Sequence, residues 1–155
     1  MTNTQNTETL SPTDERVDAA VGGYCQALLF ANALDSQGES VSGAHLDYAP
    51  VALSDFTADA QTEIVADVLD FVTANLSDCE SYVYRRQDHV GGRLSAWREL
   101  GSDLLLSSSG HGAGFFDRGR AAVWGRLQDA ARVYGGRYAI VDEDTAPGDI
   151  EVMSS

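Results

Sequence analysis

Apolar residues recur at three- and four-residue steps along much of this chain, and the breaks between runs fall at glycine and proline. Val17, Val21, Tyr24, Cys25 and Leu28 share one side of a predicted helix that opens at Ser11-Pro12-Thr13-Asp14 and runs to about Leu34. Ser11 supplies its cap, Pro12 suits the first helical position, and Asp14 complements the helix dipole. Gly22-Gly23 lies inside this helix and costs about 1 kcal/mol per glycine relative to alanine. Either another element packs very close there or the helix bends. Residues 35–53, with Gly38, Gly43 and Pro50, read as a connecting loop, and His45 sits in it as an exposed residue.

A second helix is predicted to start at Ser54 or Thr57 and to continue through Asn75. Ile64, Val65, Val68, Leu69, Val72 and Leu76 make its apolar face. Asp55, Asp59, Glu63, Asp67 and Asp70 occupy much of the opposite arc, a row of carboxylates facing solvent. Ser77-Asp78-Cys79-Glu80 matches a capping box that opens a third helix to about His89, ended by Gly91-Gly92. Arg85 and Arg86 on that helix are placed to meet acids of the second. Leu94, Trp97 and Leu100 suggest a short helical turn before Gly101.

Asp103 to Ser108 is short, apolar and bounded by glycines, the pattern of a strand buried on at least one face. Val123, Trp124, Leu127, Ala130, Ala131 and Tyr134 then define a last helix closed by Gly135-Gly136, with Arg120, Arg126 and Arg132 on its polar side. Tyr138-Ala139-Ile140-Val141 reads as a second strand, and Ile150 to Met153 as a third. The expected fold is α+β: several amphipathic helices on a small two- to three-stranded sheet, antiparallel or mixed. It forms one domain over 11–155, behind a disordered tail over 1–10.

Composition supports that reading. A chain of 155 residues with 43% hydrophobic content can bury about 68–70% of its unfolded surface without a disulfide or metal staple. No run approaches the roughly 18 apolar residues of a membrane span, and the polar first ten residues lack a secretory pattern. The default expectation is a protein of the cytoplasm. Cys25 and Cys79 fit reduced core positions. His45, His89 and His111 show no metal-ligand spacing, so neither metal nor cofactor is expected.

Charge changes the picture more. All ten basic residues are arginine, and the net charge is −14. Residues 1–80 hold fourteen acids against Arg16 alone, a net of −13, while residues 81–155 hold ten acids against nine arginines, a net of −1. The acidity fits adaptation to a salty, halophilic cytoplasm, or a surface that imitates the phosphate charge of nucleic acid toward a basic partner. Under either account, direct binding of nucleic acid is disfavoured.

The densest candidate chemistry lies in Gly110-His111-Gly112-Ala113-Gly114-Phe115-Phe116-Asp117-Arg118-Gly119. Its glycines can turn backbone amides toward an anion, but the lysine of a phosphate-binding loop is missing. An esterase-like oxyanion loop fails for want of a Gly-x-Ser-x-Gly nucleophile. His111 with Asp117 can form an oriented acid/base pair, a serine from Ser107-Ser108-Ser109 being the group acted upon. The structural alternative is a tight crossover anchored by Phe115 and Phe116, in which His111 bonds to backbone and Asp117-Arg118 caps or pairs at the start of the last helix. Trp97 and Trp124 fall on apolar faces and read as core.

The stretch from Asp103 through Gly119, followed by a helix and a Tyr-containing strand, resembles a small family of mostly uncharacterised proteins of bacteriophages and related mobile elements. The shared pattern is Asp103, Leu106, Gly110 to Phe115, Phe116, Asp117 and Arg118, covering about the C-terminal third. Where such proteins carry Thr-Arg-Asn, this chain has Ser107-Ser108-Ser109. The resemblance implies a viral or mobile-element accessory protein and carries no biochemical activity.

The functional expectation is therefore a soluble, acidic, non-enzymatic interaction protein that meets a host or viral protein through Asp59, Glu63, Asp67 and Asp70. One alternative is a small-molecule or nucleotide-processing enzyme built around Gly110, His111, Gly112, Gly114 and Arg118, with His111 and Asp117 as its catalytic candidates. Another is a virion or assembly component.

Overall fold

In the computed structural model, residues 9–41, 51–111 and 113–154 are described; His45 and Gly112 lie outside them. Five helices, α1 (Glu15–Ala31), α2 (Ala58–Ala74), α3 (Leu76–Val90), α4 (Arg93–Ser108) and α5 (Ala122–Ala131), pack with a three-stranded sheet. The strands are β1 (Ala33–Leu34), β2 (Arg137–Ile140) and β3 (Glu151–Ser154). Their order is β1-β2-β3, with β1 parallel and β3 antiparallel to β2. This is an α+β fold with a mixed sheet, as the periodicity implies.

α1 and α4 form the most extensive helix pair, and the paired glycines explain it. A Cβ on Gly23 would stand 1.7 Å from the Arg98 carbonyl oxygen, and one on Gly101 would stand 1.8 Å from that of Ala20. The two backbones touch reciprocally, so the expectation of a close neighbour at Gly22-Gly23 is met by α4. Ser102 Oγ fastens the crossing by donating to the Gly23 carbonyl at 2.9 Å. Val17, Val21, Tyr24, Cys25 and Leu28 of α1 are buried with Ala96, Trp97, Leu100, Leu104 and Leu105 of α4.

Several boundaries differ from the sequence reading. Asp103–Ser108 is not a strand but the second half of α4. Leu100, Leu104 and Leu105 continue the helical register begun by Ala96 and Trp97, and neighbours on several sides bury it. Such a helix shows a run of apolar residues where an amphipathic one would show a stripe. The short turn predicted at Leu94–Leu100 is the first half of the same helix. α1 is capped by Asp14, whose carboxylate accepts the Arg16 N–H at 2.8 Å, not by Ser11. It also ends at Ala31 instead of Leu34, because Ala33–Leu34 peels away to pair with Ala139–Ile140.

The capping box at Ser77 does not form. Asn75 both ends α2, its N–H donating to Phe71 O, and starts α3, its carbonyl accepting the Cys79 N–H at 2.9 Å, so Ser77 is already inside the helix. At its other end α3 stops as expected, with Gly91 in the left-handed conformation. Leu10, assigned to the tail, is only 6% exposed and belongs to the core. Thr57 caps α2, and its N–H donates to the Ile150 carbonyl at 2.9 Å, tying that helix to the approach to β3.

Candidate functional site

The glycine loop begins as the C-terminus of α4. Gly110 takes φ 76, the His111 N–H donates to Leu106 O at 3.1 Å, and the Gly110 N–H donates to Ser107 O at 3.4 Å. This pair of bonds is a Schellman motif. It spends the amides of Gly110 and His111, together with that of Ser109, on helix carbonyls. The Phe115 N–H is likewise taken, by Ser107 Oγ at 3.0 Å. These four amides are therefore not a cradle for an anion, and the phosphate-loop alternative loses them. Gly114, at φ 132, is obligatory: a Cβ there would lie 2.2 Å from Ser107 Oγ.

Phe115 anchors the turn, fully buried between Phe71, stacked at 5.8 Å, and Tyr82, edge-on at 5.6 Å. Phe116, expected to share that role, is instead 48% exposed. Trp97 and Trp124 are core residues, as their positions suggest.

His111 bonds not to backbone but to Asn32. Asn32 is 2% exposed, and its Nδ2 donates to Ser109 Oγ at 2.8 Å and to the Arg137 carbonyl at 2.9 Å. A carbonyl can only accept, so the amide orientation is fixed, and Oδ1 is the atom that meets His111 Nε2. His111 must therefore carry a proton on Nε2, and Nδ1 has no hydrogen-bond partner among the described residues. No bond joins His111 to Asp117, which is exposed, so the predicted acid/base pair is not assembled.

Beside the ring opens a cleft of about 370 Å³. It is lined by Ser107, Ser108, Gly110 and His111 from the end of α4 and the loop, and by Phe116, Gln128 and Arg132 from the far side of the turn. Gln128 is 8% exposed, and its Oε1 is buried without a hydrogen-bond partner among the described residues. Such an unpaired acceptor costs about 1–3 kcal/mol. Arg132 is well exposed, and among the described residues Asp129, at 3.8 Å, is the acid it meets. Sequence reasoning missed Asn32, Gln128 and Arg132 as site residues. The signals were an asparagine at the last turn of an apolar helix and a glutamine set into the stripe of Trp124, Leu127 and Ala131.

Arg118, a candidate for binding, is occupied internally. Its Nε and Nη2 grip the Asp103 carboxylate, each at 2.8 Å. Arg86 grips Glu99 in the same way at 2.7 and 3.0 Å, so it meets an acid of α4 and not one of α2. Tyr82 joins the two pairs, its hydroxyl lying 2.7 Å from Asp103 Oδ2 and 2.9 Å from Glu99 Oε1. One phenolic proton serves two carboxylates, and burial, followed by the charges of Asp103 and Glu99, pushes the Tyr82 hydroxyl far above the usual tyrosine range. Burial raises the Glu99 carboxyl, but the hydrogen bonds from Arg86 and Tyr82 outweigh it and hold it below the ordinary value.

The acid row on α2 is partly consumed as well. Arg137 of β2 donates to Asp67 at 2.7 Å and to Glu63 at 3.1 Å, and the Tyr134 hydroxyl donates to Asp70. Asp59 stands exposed. Among the described residues no group of three His, Cys, Asp or Glu is placed to hold a metal, and no helix is long and apolar enough to cross a membrane. Cys25 and Cys79 are buried and unpaired. Comparison with protein-family models, with curated proteins and with solved structures found no match for this chain.

Proposed function

We propose that this chain is a small-ligand-binding protein whose site is the cleft at His111. The observation that carries the reading is the buried, unpartnered carbonyl of Gln128 beside a histidine whose one bonded nitrogen is fixed by Asn32. An acceptor left unpaired at the wall of a cleft is repaid when a ligand brings a donor to it. Hydrolytic or acyl-transfer chemistry has no support, because His111 and Asp117 stand apart and Ser107 is committed to the Phe115 amide. The test is a nitrogen-edited NMR titration of the whole chain with a panel of small polar metabolites. Binding should move the Gln128 side-chain amide and the His111 signals, and Gln128→Leu should abolish the response without unfolding the domain. A panel that leaves both signals in place would sink the reading.

A second reading is an acidic accessory protein of a virus or mobile element that engages a host or viral protein. It is favoured by the net charge of −13 over residues 1–80. With Glu63, Asp67 and Asp70 engaged, its surface centres on Asp59 and whatever of the row its partner can prise from Arg137 and Tyr134. Loss of a captured host protein on Asp59→Arg is the expected result. Retention of every captured protein by a variant reversed at all four acids counts against it.

A further inference from the structure

We infer that the ligand of the His111 cleft is a mononucleotide, an inference that rests on the cleft being a binding site. Three lining groups of different chemistry point to it. Phe116 presents a half-exposed ring, 48% accessible although its neighbour Phe115 is fully buried. A planar aromatic at a cleft wall is a stacking surface that any nucleobase can use, since every base has a π-face. Gln128 lines the cleft with a largely buried carboxamide, an acceptor and a donor side by side, and the acceptor, itself buried, has no hydrogen-bond partner among the described residues, so a small rotation of the amide brings the pair to a ligand. That pair complements a base edge on which an amino or imino N–H lies next to a ring nitrogen or carbonyl.

Arg132 supplies the third group. It lies four residues after Gln128, one turn further along α5 and its terminal 3-10 turn. The rise between them is roughly 6 Å, a span bridged by a nucleoside carrying a phosphate. Among the described residues its guanidinium has a single acid partner, at 3.8 Å with both side chains well exposed, and is available to grip a phosphate through two N–H donors. His111 Nδ1 and Ser108 Oγ remain for the ribose hydroxyls, since Nε2 is held by Asn32 and the Ser108 hydroxyl proton is given to Leu105 O at 3.1 Å.

Other ligand classes use less of the site. An amino acid or simple carboxylate would engage Arg132 and leave the ring of Phe116 and the Gln128 acceptor idle. A neutral sugar lacks the anion, and a polyamine meets the Arg132 charge. The −14 charge of the chain opposes an approaching phosphate at long range, but that repulsion is screened within about 8 Å at physiological ionic strength. Binding should therefore hold steady or tighten as salt rises from low to physiological, the reverse of a site that gathers anions by long-range attraction.

The test is calorimetry and NMR on the full chain with AMP, GMP, CMP and UMP, beside adenosine, ribose 5-phosphate, inorganic phosphate, glutamate and spermidine. At least one nucleoside monophosphate is expected to move the Gln128 and His111 signals. Phe116→Ala and Arg132→Gln, both at exposed positions and tolerable to the fold, should each weaken it about tenfold, as should removal of the base or of the phosphate. Ribose 5-phosphate or phosphate binding as well as the nucleotides, or indifference to Phe116→Ala, overturns the nucleotide assignment. If glutamate or spermidine moves the same signals and no nucleotide does, the assignment falls and the cleft reading survives. If no compound moves them, both fall.

Discussion

The imidazole of His111 is held by the carboxamide of Asn32, a residue 79 positions earlier, at the point where α1 hands over to β1. One buried side chain thus joins the glycine loop, the end of α4 through Ser109, and the carbonyl of Arg137 on β2. Asn32→Ala should cost about 2 kcal/mol, because the part-buried Arg137 carbonyl loses its donor and a well-buried side chain is removed. A shift of the urea midpoint measures it. The same variant should release the His111 tautomer, visible as loss of the Nε2–H pattern in the long-range nitrogen spectrum. An unchanged pattern would show that the ring is oriented by something else.

Glycines in the same molecule should respond to alanine in opposite directions. Gly23→Ala and Gly101→Ala push a methyl into a backbone carbonyl of the partner helix, and each should cost about 3 kcal/mol, since neither α1 nor α4 can move without disturbing the core between them. Gly125→Ala, in α5 with nothing within 4 Å of its would-be Cβ, should stabilise by about 1 kcal/mol by improving helix propensity. Thermal melts of the three variants suffice. Equal effects at all three positions would refute the close crossing.

The cluster of Arg86, Glu99, Tyr82, Asp103 and Arg118 predicts both a coupling and an acid response. Asp103 is 1% exposed, so Arg118→Leu strands a buried carboxylate and should cost about 3–5 kcal/mol. Replacing both Asp103 and Arg118 with apolar residues should cost less than the two single changes added together. The Glu99 carboxyl is held below its ordinary 4.5, so its contribution is complete above pH 4.5 and disappears as pH falls through the folded value. Asp14, whose value the Arg16 side chain pulls from 3.8 to about 2, adds a second acid-sensitive step as pH falls between those two values. Glu99→Gln should flatten the acid limb of a stability-versus-pH curve.

Alkaline pH acts on the opposite group of residues. Burial pushes the Cys25 thiol from 9.0 up to about 12, and raises Cys79 well above 9.0. The folded state therefore keeps its thiols protonated while the unfolded chain ionises. Their contribution is intact below pH 9.0 and is lost progressively as pH rises toward 12. Cys25→Ala should reduce the slope of stability against pH above 9.0, read by chemical denaturation at several pH values.

The sequence shows α1, α2, α3, α5 and two of the strands well because each has one buried and one wet side, so burial writes a period into the residues. α4 is hidden for the converse reason. Around Leu104 and Leu105 both flanks are covered, the stripe closes into a run, and a run of that length with glycines near it is indistinguishable from a strand. β1 has two residues, too few for any period, and exists because β2 arrives beside it from more than a hundred positions away. At the site, the glycines and Phe115 declare a crossover by composition alone. The partnership of His111 with Asn32, and the orphaned Gln128, depend on which side chains meet across the fold. Nothing local encodes that, and the charges of Arg118 and Asp67, which look like surface features, turn out to be spent inward.

The short parallel pairing of Ala33 with Ala139 and Leu34 with Ile140 also carries a large loop-closure cost. Closing that pair spans about two thirds of the chain, while α3 and α4 meet across a two-residue turn at Gly91-Gly92. Local helix pairing comes at little entropic cost, whereas the distant strand pair must close a loop of about a hundred residues. The cleft, bounded by α4 and α5 and oriented through Asn32, thus keeps its geometry only while that distant pairing stays closed.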